Sequence, residues 1–198
     1  MYSAFFEIIE MGKMIEIRQI TDQDLEDIRL INQLNSSNPN KPQNEKEFCL
    51  YFYTEYYVKF EKDNCFVAID ADKKETVGYI LASKDYKQYI SNIVSDFKER
   101  ARELGFEERF FLETHCFELY GKDYPAHFHI DVKPAYQHEG IGTMLLDAEI
   151  RHMKNNGVKG LMLIVGKNKI SGNKFYEKHG FKVIDSNDFC YVRGITLI

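Results

Sequence analysis

The sequence predicts one α/β domain spanning residues 1–198. Three observations carry that expectation. Segments with the two-residue alternation of a half-buried strand are interleaved with segments of helical period. The length of 198 residues fits one domain, able to bury about 70% of the surface its unfolded chain exposes. No internal repeat and no linker-like stretch divides the chain.

The elements follow in order. Residues 15–20 (IEIRQI) alternate like a strand. Thr21 and Asp24 form a capping box, and Leu25, Ile28, Ile31 and Leu34 make the apolar stripe of the helix behind it. NSSNPNKPQ (35–43) is a loop by composition. Residues 45–60 predict an aromatic-rich helix. NCFVAID (64–70), the turn ADKKE and TVGYILAS (76–83) predict a hairpin. Ile90, Ile93, Val94, Phe97, Ala101 and Leu104 predict an amphipathic helix closed by Gly105. The run from 106 to 125, including FFLETHCFELYG, fits strand or helix equally. AHFHIDV (126–132) predicts a strand stopped by Pro134. Gly140 and Gly142 open a helix striped by Ile141, Met144, Leu145 and Ala148 that ends near Asn156-Gly157. VKGLMLIV (158–165) suits a strand buried on both faces. A helix around 171–179 closed by Gly180 and a last hairpin about Ser-Asn-Asp complete the chain.

Composition narrows the function. Hydrophobic residues at 44% and aromatics at 14% exclude a disordered chain. Asp and Glu number 31 against 26 Lys and Arg, a formal charge of −5. That balance argues against a dedicated nucleic-acid binder, which needs a dense basic face. The four cysteines, Cys49, Cys65, Cys116 and Cys190, contain no CxxC pair, so a zinc ribbon or thioredoxin-like motif is excluded. Cys65 and Cys190 sit in apolar runs and are expected to be buried free thiols. MYSAFFEIIEMGK lacks the basic start and small-residue cleavage site of a signal peptide. No apolar run approaches a membrane span of about 18 residues. A cytoplasmic protein is expected.

The strongest chemical signal is VKPAYQHEGIGTMLL (132–146). A strand ends, Gln137-His138-Glu139-Gly140-Ile141-Gly142 turns, and a helix begins. Helix N-termini carry unpaired N–H groups and a partial positive charge, so they bind pyrophosphate. Glycines let the backbone approach the phosphate with no Cβ in the way. An ordinary strand-to-helix turn with two glycines is the competing reading. The segment is not a Walker loop, having no GK[ST], and the G-x-G-x-x-G dinucleotide pattern fails at Leu145.

About thirty residues downstream stands Asn173-Lys174-Phe175-Tyr176-Glu177-Lys178-His179-Gly180-Phe181. With this second segment the sequence resembles the GNAT superfamily of acyl-CoA-dependent N-acyltransferases: V-x-P-x-Y-Q-x-x-G-I-G-x-x-L-L resembles that family's motif A, and FYEKHGF its motif B. The segment YPAHFHIDVKPAYQHEGIG (124–142) is also similar to the acetyltransferase-like domains fused to some O-GlcNAc hydrolases. The resemblance implies a mixed, mostly antiparallel central sheet flanked by helices. Residues 1–14 become an N-terminal extension, and about 84–125 a helical insertion before the fourth strand. It implies acetyl-CoA as co-substrate, with the backbone of Ile130, Asp131 and Val132 splayed from the next strand to pair with the pantetheine arm. Gln137 and the amides of His138, Glu139, Gly140, Ile141, Gly142 and Thr143 would then surround the pyrophosphate. Tyr176 would protonate the departing thiolate; a core aromatic against Phe181 is the alternative. The family's Asn seven residues before that Tyr is Lys169 here, so Asn168 and Asn173 both stay open as cofactor contacts.

His127, His129 and Asp131 share one face of their strand. A zinc hydrolase would continue H-x-H-x-D with another His, and this chain has Val132; no metal is expected. A primary amine of pKa about 10.4 is only about 0.04% neutral at pH 7 and needs a base. His127 or His129 are candidates for that base, against histidines simply hydrogen-bonded in the sheet, and Asp131 for orienting a neighbour. The function expected is acetyl transfer from acetyl-CoA to a primary amine of a small molecule or peptide, by direct attack in a ternary complex. A non-catalytic acyl-CoA-binding module and a protein lysine or N-terminal acetyltransferase are the alternatives. No nucleic-acid or membrane partner is expected, and a homodimer stays open. The segment between residues 83 and 126 is expected to wall the acceptor pocket, with Glu113, His115, Glu118 and Tyr120 available to face an amine.

Overall fold

A computed structural model describes residues 13–36 and 38–197, and the backbone of residues 5–8. The rest of the N-terminal stretch, residue 37 and residue 198 lie outside the described residues, and with them most of the segment weighed above as a signal peptide.

Among the described residues, eight strands form one sheet: β1 (Phe5–Ile8), β2 (Met14–Gln19), β3 (Cys65–Asp70), β4 (Glu75–Ser83), β5 (Ala126–Val132), β6 (Gly160–Gly166), β7 (Lys182–Ser186) and β8 (Cys190–Thr196). Their spatial order is β1-β2-β3-β4-β5-β6-β8-β7. Every neighbouring pair is antiparallel except β5 with β6. Part of the expected N-terminal extension thus becomes the edge strand β1.

The helices are α1 (Leu25–Leu34), α2 (Gln43–Leu50), α3 (Tyr56–Phe60), α4 (Tyr86–Glu103), α5 (Glu107–Tyr120), α6 (Ile141–Asn155) and α7 (Ile170–Lys178). Two cores follow from strand alternation. On one face, Phe128, Leu161, Leu163 and Phe181 pack with Ile141, Leu145 and Leu146 of α6. On the other, Val67, Tyr79, Leu81 and Met162 pack with the aromatic side chains of α2 to α5. β6 feeds both cores, as its unbroken apolar run predicts.

Three elements differ from expectation. The helix expected over 45–60 begins at Gln43 and is interrupted at Tyr51–Glu55 by a π turn between α2 and α3. The 106–125 run is the helix α5, which buries Phe110, Thr114 and Phe117 at helical spacing. It was ambiguous because Phe111, Leu112 and Leu119 are apolar yet exposed, which blurs the period. α4 rolls slightly from its predicted stripe: Tyr89, Ile93, Phe97 and Ala101 are buried while Val94 is exposed. Asp85 caps α4 by accepting from the Lys87 backbone N–H at 2.8 Å. Gly105, at φ +85°, ends it with a Phe106 N–H to Ala101 C=O bond of 2.8 Å.

Candidate active site

β5 is the centre of the site because it stops pairing with β6 after two residues. The parallel register runs only through Ala126–Leu161 and His127–Met162. β4 stays paired to β5 as far as Val132. The Lys133 N–H donates to the Val77 carbonyl at 2.8 Å. Backbone groups alternate between the two edges of a strand, so those of Asp131 also face β4. The N–H and C=O of Ile130 and the N–H of Val132 face the gap where β6 diverges. The Val132 carbonyl is already taken: Asn35 Nδ2 and Gln137 Nε2 each donate to it at 3.1 Å. Of the three residues expected to offer backbone to a pantetheine arm, Ile130 and Val132 have backbone groups on the unpaired edge, while those of Asp131 face β4. Gln137, bonded to Asn35 at 2.8 Å, pins the following turn to the strand.

The turn before α6 has the backbone an anion needs. Gly140 lies at φ +85° and His138 at φ +66°. The second is a left-handed conformation unusual for a residue with a Cβ, and such strain concentrates at functional positions. Alternating right- and left-handed residues turn successive N–H groups into one concavity. No hydrogen bond within the described residues uses the backbone N–H of His138, Glu139 or Gly140. The N–H groups of Ile141 and Gly142 at the start of α6 are likewise without an acceptor, whereas the Thr143 N–H, expected to be free, donates to the Gly140 carbonyl at 2.9 Å as the first bond of the helix. A Cβ on Gly142 would sit 3.5 Å from the Phe175 ring, an ordinary contact, so α7 packs against α6 here with room for a methyl group and little more. The Thr143 hydroxyl lies 3.1 Å from His179 Nε2, a second tie between those helices. Glu139 turns away and pairs with Lys13 at 2.7 Å. Unbonded amides at a glycine turn and a free strand edge fit a nucleotide diphosphate with an extended amide-bearing arm, which is the chemistry of coenzyme A.

The two asparagines separate cleanly. Asn173 donates to the Gly166 carbonyl at 2.9 Å and the Lys169 carbonyl at 3.0 Å, and accepts from Arg193 Nε at 3.1 Å. Its amide is spent holding the start of α7. Asn168 is exposed and its side chain makes no hydrogen bond among the described residues.

Tyr176, on α7, is half-buried against Phe128, Phe175 and Phe181, with ring centroids 5.3 to 6.1 Å away. Its hydroxyl has no hydrogen-bond partner within the described residues. Burial, reinforced by the Asp131 carboxylate, raises its pKa, so it keeps its proton at neutral pH.

Asp131 is the group whose importance the sequence did not reveal. Burial pushes its carboxyl up to about 7, against the opposing effects of the Tyr79 hydroxyl and Lys169. Tyr79 donates to Asp131 Oδ2 at 2.9 Å. The histidines expected as bases are poorer ones. His127 is 1% exposed, stacked on Phe117 at 4.0 Å and edge-on to Tyr89 at 4.3 Å; burial lowers its pKa well below the usual value. Burial lowers His129 to about 4. Neither is hydrogen-bonded at Nε2, so the plain sheet-bonded alternative does not describe them either.

On α5, Glu113 faces inward and accepts from Tyr53 at 2.6 Å and from Arg109 Nε at 2.8 Å. Tyr53 in turn packs edge-on to His129 at 4.8 Å. Glu118 and His115 do not join it: both are exposed and face each other at 3.6 Å. Tyr120 donates instead to Asp185. Cys65 is buried but Cys190 only half-buried, and all four cysteines are free. Among the described residues no group of three or more His, Cys, Asp or Glu side chains is placed to hold a metal. Nor is any helix among them long and apolar enough to cross a membrane.

Comparison with known proteins agrees with this geometry. The family model described as Acetyltransferase (GNAT) family matches residues 28–181. A spermidine N(1)-acetyltransferase from Thermoplasma acidophilum is 44% identical over 57 residues, which cover 28% of this chain and 35% of that protein. Among solved structures, SsHAT shares the fold with a TM-score of 0.81 at 20% identity, covering 93% of this chain and 98% of that one. The paia N-acetyltransferase of Thermoplasma acidophilum, in complex with coenzyme A, gives 0.61 at 19% identity over 92% and 98%. An agmatine N-acetyltransferase mutant in its apo form gives 0.62 at 14% over 92% and 99%.

Proposed function

Because the chain belongs to the GNAT acetyltransferase family, whose co-substrate is acetyl-CoA, we propose that it transfers an acetyl group to a primary amine of a small molecule or peptide. The transfer would proceed by direct attack in a ternary complex. The observation that carries this reading is the placement of Asp131 and Tyr176 beside the gap between β5 and β6. One is a carboxyl that titrates near neutrality. The other is a phenol that keeps its proton and has no hydrogen-bond partner among the described residues.

When bound, acetyl-CoA supplies an acyl group activated as a thioester, with a thiolate as leaving group. Ile130 and Val132 offer their free edge to the arm, and the 138–142 amides offer N–H groups to the pyrophosphate. Asp131 accepts a proton from the incoming ammonium. With a pKa of about 7 it is about half ionised at neutral pH, the condition that serves a general base best. Tyr79 holds that carboxylate in place. Tyr176 keeps a proton available at the opposite side of the gap for the sulfur as it leaves. None of the four cysteines lies on β5, the 137–143 turn or α7, which supports direct attack over a thioester on the enzyme.

The narrower likeness of residues 124–142 to domains fused to O-GlcNAc hydrolases rests on that segment alone, and no residue role is taken from it. The test is a panel of primary amines, short peptides and protein substrates, under saturating acetyl-CoA with detection of released thiol. Turnover with a small amine supports the reading. Coenzyme A binding with no acceptor-dependent thiol release would instead identify a binding module, and release only with proteins a protein acetyltransferase.

A further inference from the structure

Two consecutive residues at the head of the glycine turn are tied to different parts of the fold. Tyr136 is buried, and its hydroxyl donates to Asp70 Oδ2 at 2.9 Å while accepting from Lys73 Nζ at 2.7 Å. Gln137 is exposed, yet its Nε2 donates to Asn35 Oδ1 at 2.8 Å and to the Val132 carbonyl at 3.1 Å. Those two bonds spend both N–H donors of the Gln137 amide, so its side chain has none left for a phosphate.

Asn35, the C-cap of α1, stands at the other end of this connection. Its Nδ2 donates to the Ile31 carbonyl at 3.0 Å and to the Val132 carbonyl at 3.1 Å. Turned over, the amide would set its oxygen against both carbonyls, so these bonds fix its orientation and leave Oδ1 facing Gln137. Both lone pairs of the Val132 carbonyl are filled as well. The end of α1, the end of β5 and the head of the turn are thereby closed into one ring of bonds, although Asn35 and Gln137 are 102 residues apart. The bonds add little stability, because water competes for an exposed amide. What they fix is geometry. Directly after Gln137 come the left-handed residues His138, at φ +66°, and Gly140, at φ +85°, and with them the unbonded N–H groups. A concavity fixed before its ligand arrives binds without the cost of ordering it.

We propose that Asn35 is a positioning residue for coenzyme A: acting through Gln137, it holds the 138–142 turn in the shape that receives the pyrophosphate. The assignment rests on the cofactor placement given above. Gln137 then serves the cofactor as a strut and not as a ligand. The effect is confined to the phosphate end of the cofactor. The β5 edge offered to the pantetheine arm is held separately, by the β4 ladder as far as Val132 and by the bond from the Lys133 N–H to the Val77 carbonyl.

The experiment measures dissociation constants of coenzyme A and of pantetheine, which lacks the nucleotide and the pyrophosphate. NMR titration gives them for the wild type, Asn35→Ala, Gln137→Ala and the double variant. Only binding is read, so the result does not depend on which acceptor is acetylated. Asn35→Ala should weaken coenzyme A by about tenfold, or about 1.4 kcal/mol, and pantetheine by less than about twofold. Gln137→Ala should do the same, and the double variant should lose about as much as one single variant, because residues of one network are not additive. Full wild-type affinity for coenzyme A in Asn35→Ala overturns the inference. So does an equal loss for both ligands, which would show Asn35 supporting the fold or the arm instead of the turn. Losses that multiply to about a hundredfold in the double variant overturn the strut, because Gln137 would then bind the pyrophosphate in its own right. A wild type that binds coenzyme A no more tightly than pantetheine removes the pyrophosphate site and this inference together. A failed acceptor panel, by contrast, sinks the transfer reading and leaves the binding result standing.

Discussion

Tyr79 and Asp131 stand directly opposite each other across the β4–β5 ladder, and the tyrosine hydroxyl donates to the carboxylate at 2.9 Å. The bond stabilises the ionised form of a group that burial pushes toward neutrality. Removing it in Tyr79→Phe should therefore raise the Asp131 pKa. A hydrogen bond to a charged group contributes about 1.5–3 kcal/mol, and one pKa unit is 1.36 kcal/mol. The acidic limb of the kcat/KM–pH profile should move up by about one unit. A limb that stays in place would remove Asp131 as the base.

Asp131→Asn separates catalysis from stability. As a general base, Asp131 should be worth about 10²–10⁴-fold in rate, lost across the pH range. Stability should change the other way. The folded pKa is raised, so the ionised side chain progressively destabilises the fold as pH rises from the ordinary carboxylate range through about 7. Asn carries no such charge. The variant should match the wild type near pH 4 and melt higher at pH 8; a wild type that is the more stable at pH 8 would contradict the burial account.

Tyr176→Phe keeps the ring that packs on Phe128 and Phe181 and removes only an unbonded hydroxyl. A proton needed only as the carbon–sulfur bond breaks affects kcat rather than binding. The variant should lose about 10²-fold or more in kcat with coenzyme A affinity and melting temperature nearly unchanged. Unchanged turnover would reduce Tyr176 to a packing residue.

Gly142 has room for a Cβ but little more, with the Phe175 ring 3.5 Å from that position. Gly142→Val should push α7 from α6 and crowd the unbonded amides. Thermal stabilisation of the protein by acetyl-CoA should disappear. A full wild-type shift in this variant would place the pyrophosphate elsewhere.

Much of this site was legible because its signals are local. Pro134, Gly140 and Gly142 punctuate a strand, a turn and a helix start within a few residues, and the structure puts each where the sequence implied. The two-residue pairing of β5 with β6 matches the expected splay. The raised pKa of Asp131 was not legible, because it depends on burial and on Tyr79, more than fifty residues away. The enclosure of His127 was not legible for the same reason: a histidine on a strand looks available until Phe117 and Tyr89 from other elements close over it. Nothing in YFYTE announces a π turn, yet that turn is what brings Tyr53 to His129.

The last prediction concerns a residue of α6 far from the chemistry. Glu149 is 0% exposed, and neither carboxylate oxygen has a hydrogen-bond partner. Burial alone raises its pKa well above the ordinary value, which favours the neutral acid. An unpaired buried polar group costs about 1–3 kcal/mol. Methionine has nearly the same length, good helix propensity and no polar atoms to satisfy. Glu149→Met should therefore raise stability at neutral pH by about 1–3 kcal/mol. The sign with pH is definite. A carboxyl with a raised folded pKa favours folding fully only below its unfolded pKa, and that contribution is lost as pH climbs toward the folded value. The advantage of Glu149→Met should accordingly be smallest near pH 4 and widen toward pH 9. Urea unfolding at several pH values measures it. A variant that is less stable than wild type at pH 8, or whose advantage shrinks as pH rises, would show that Glu149 is ionised and paired in solution.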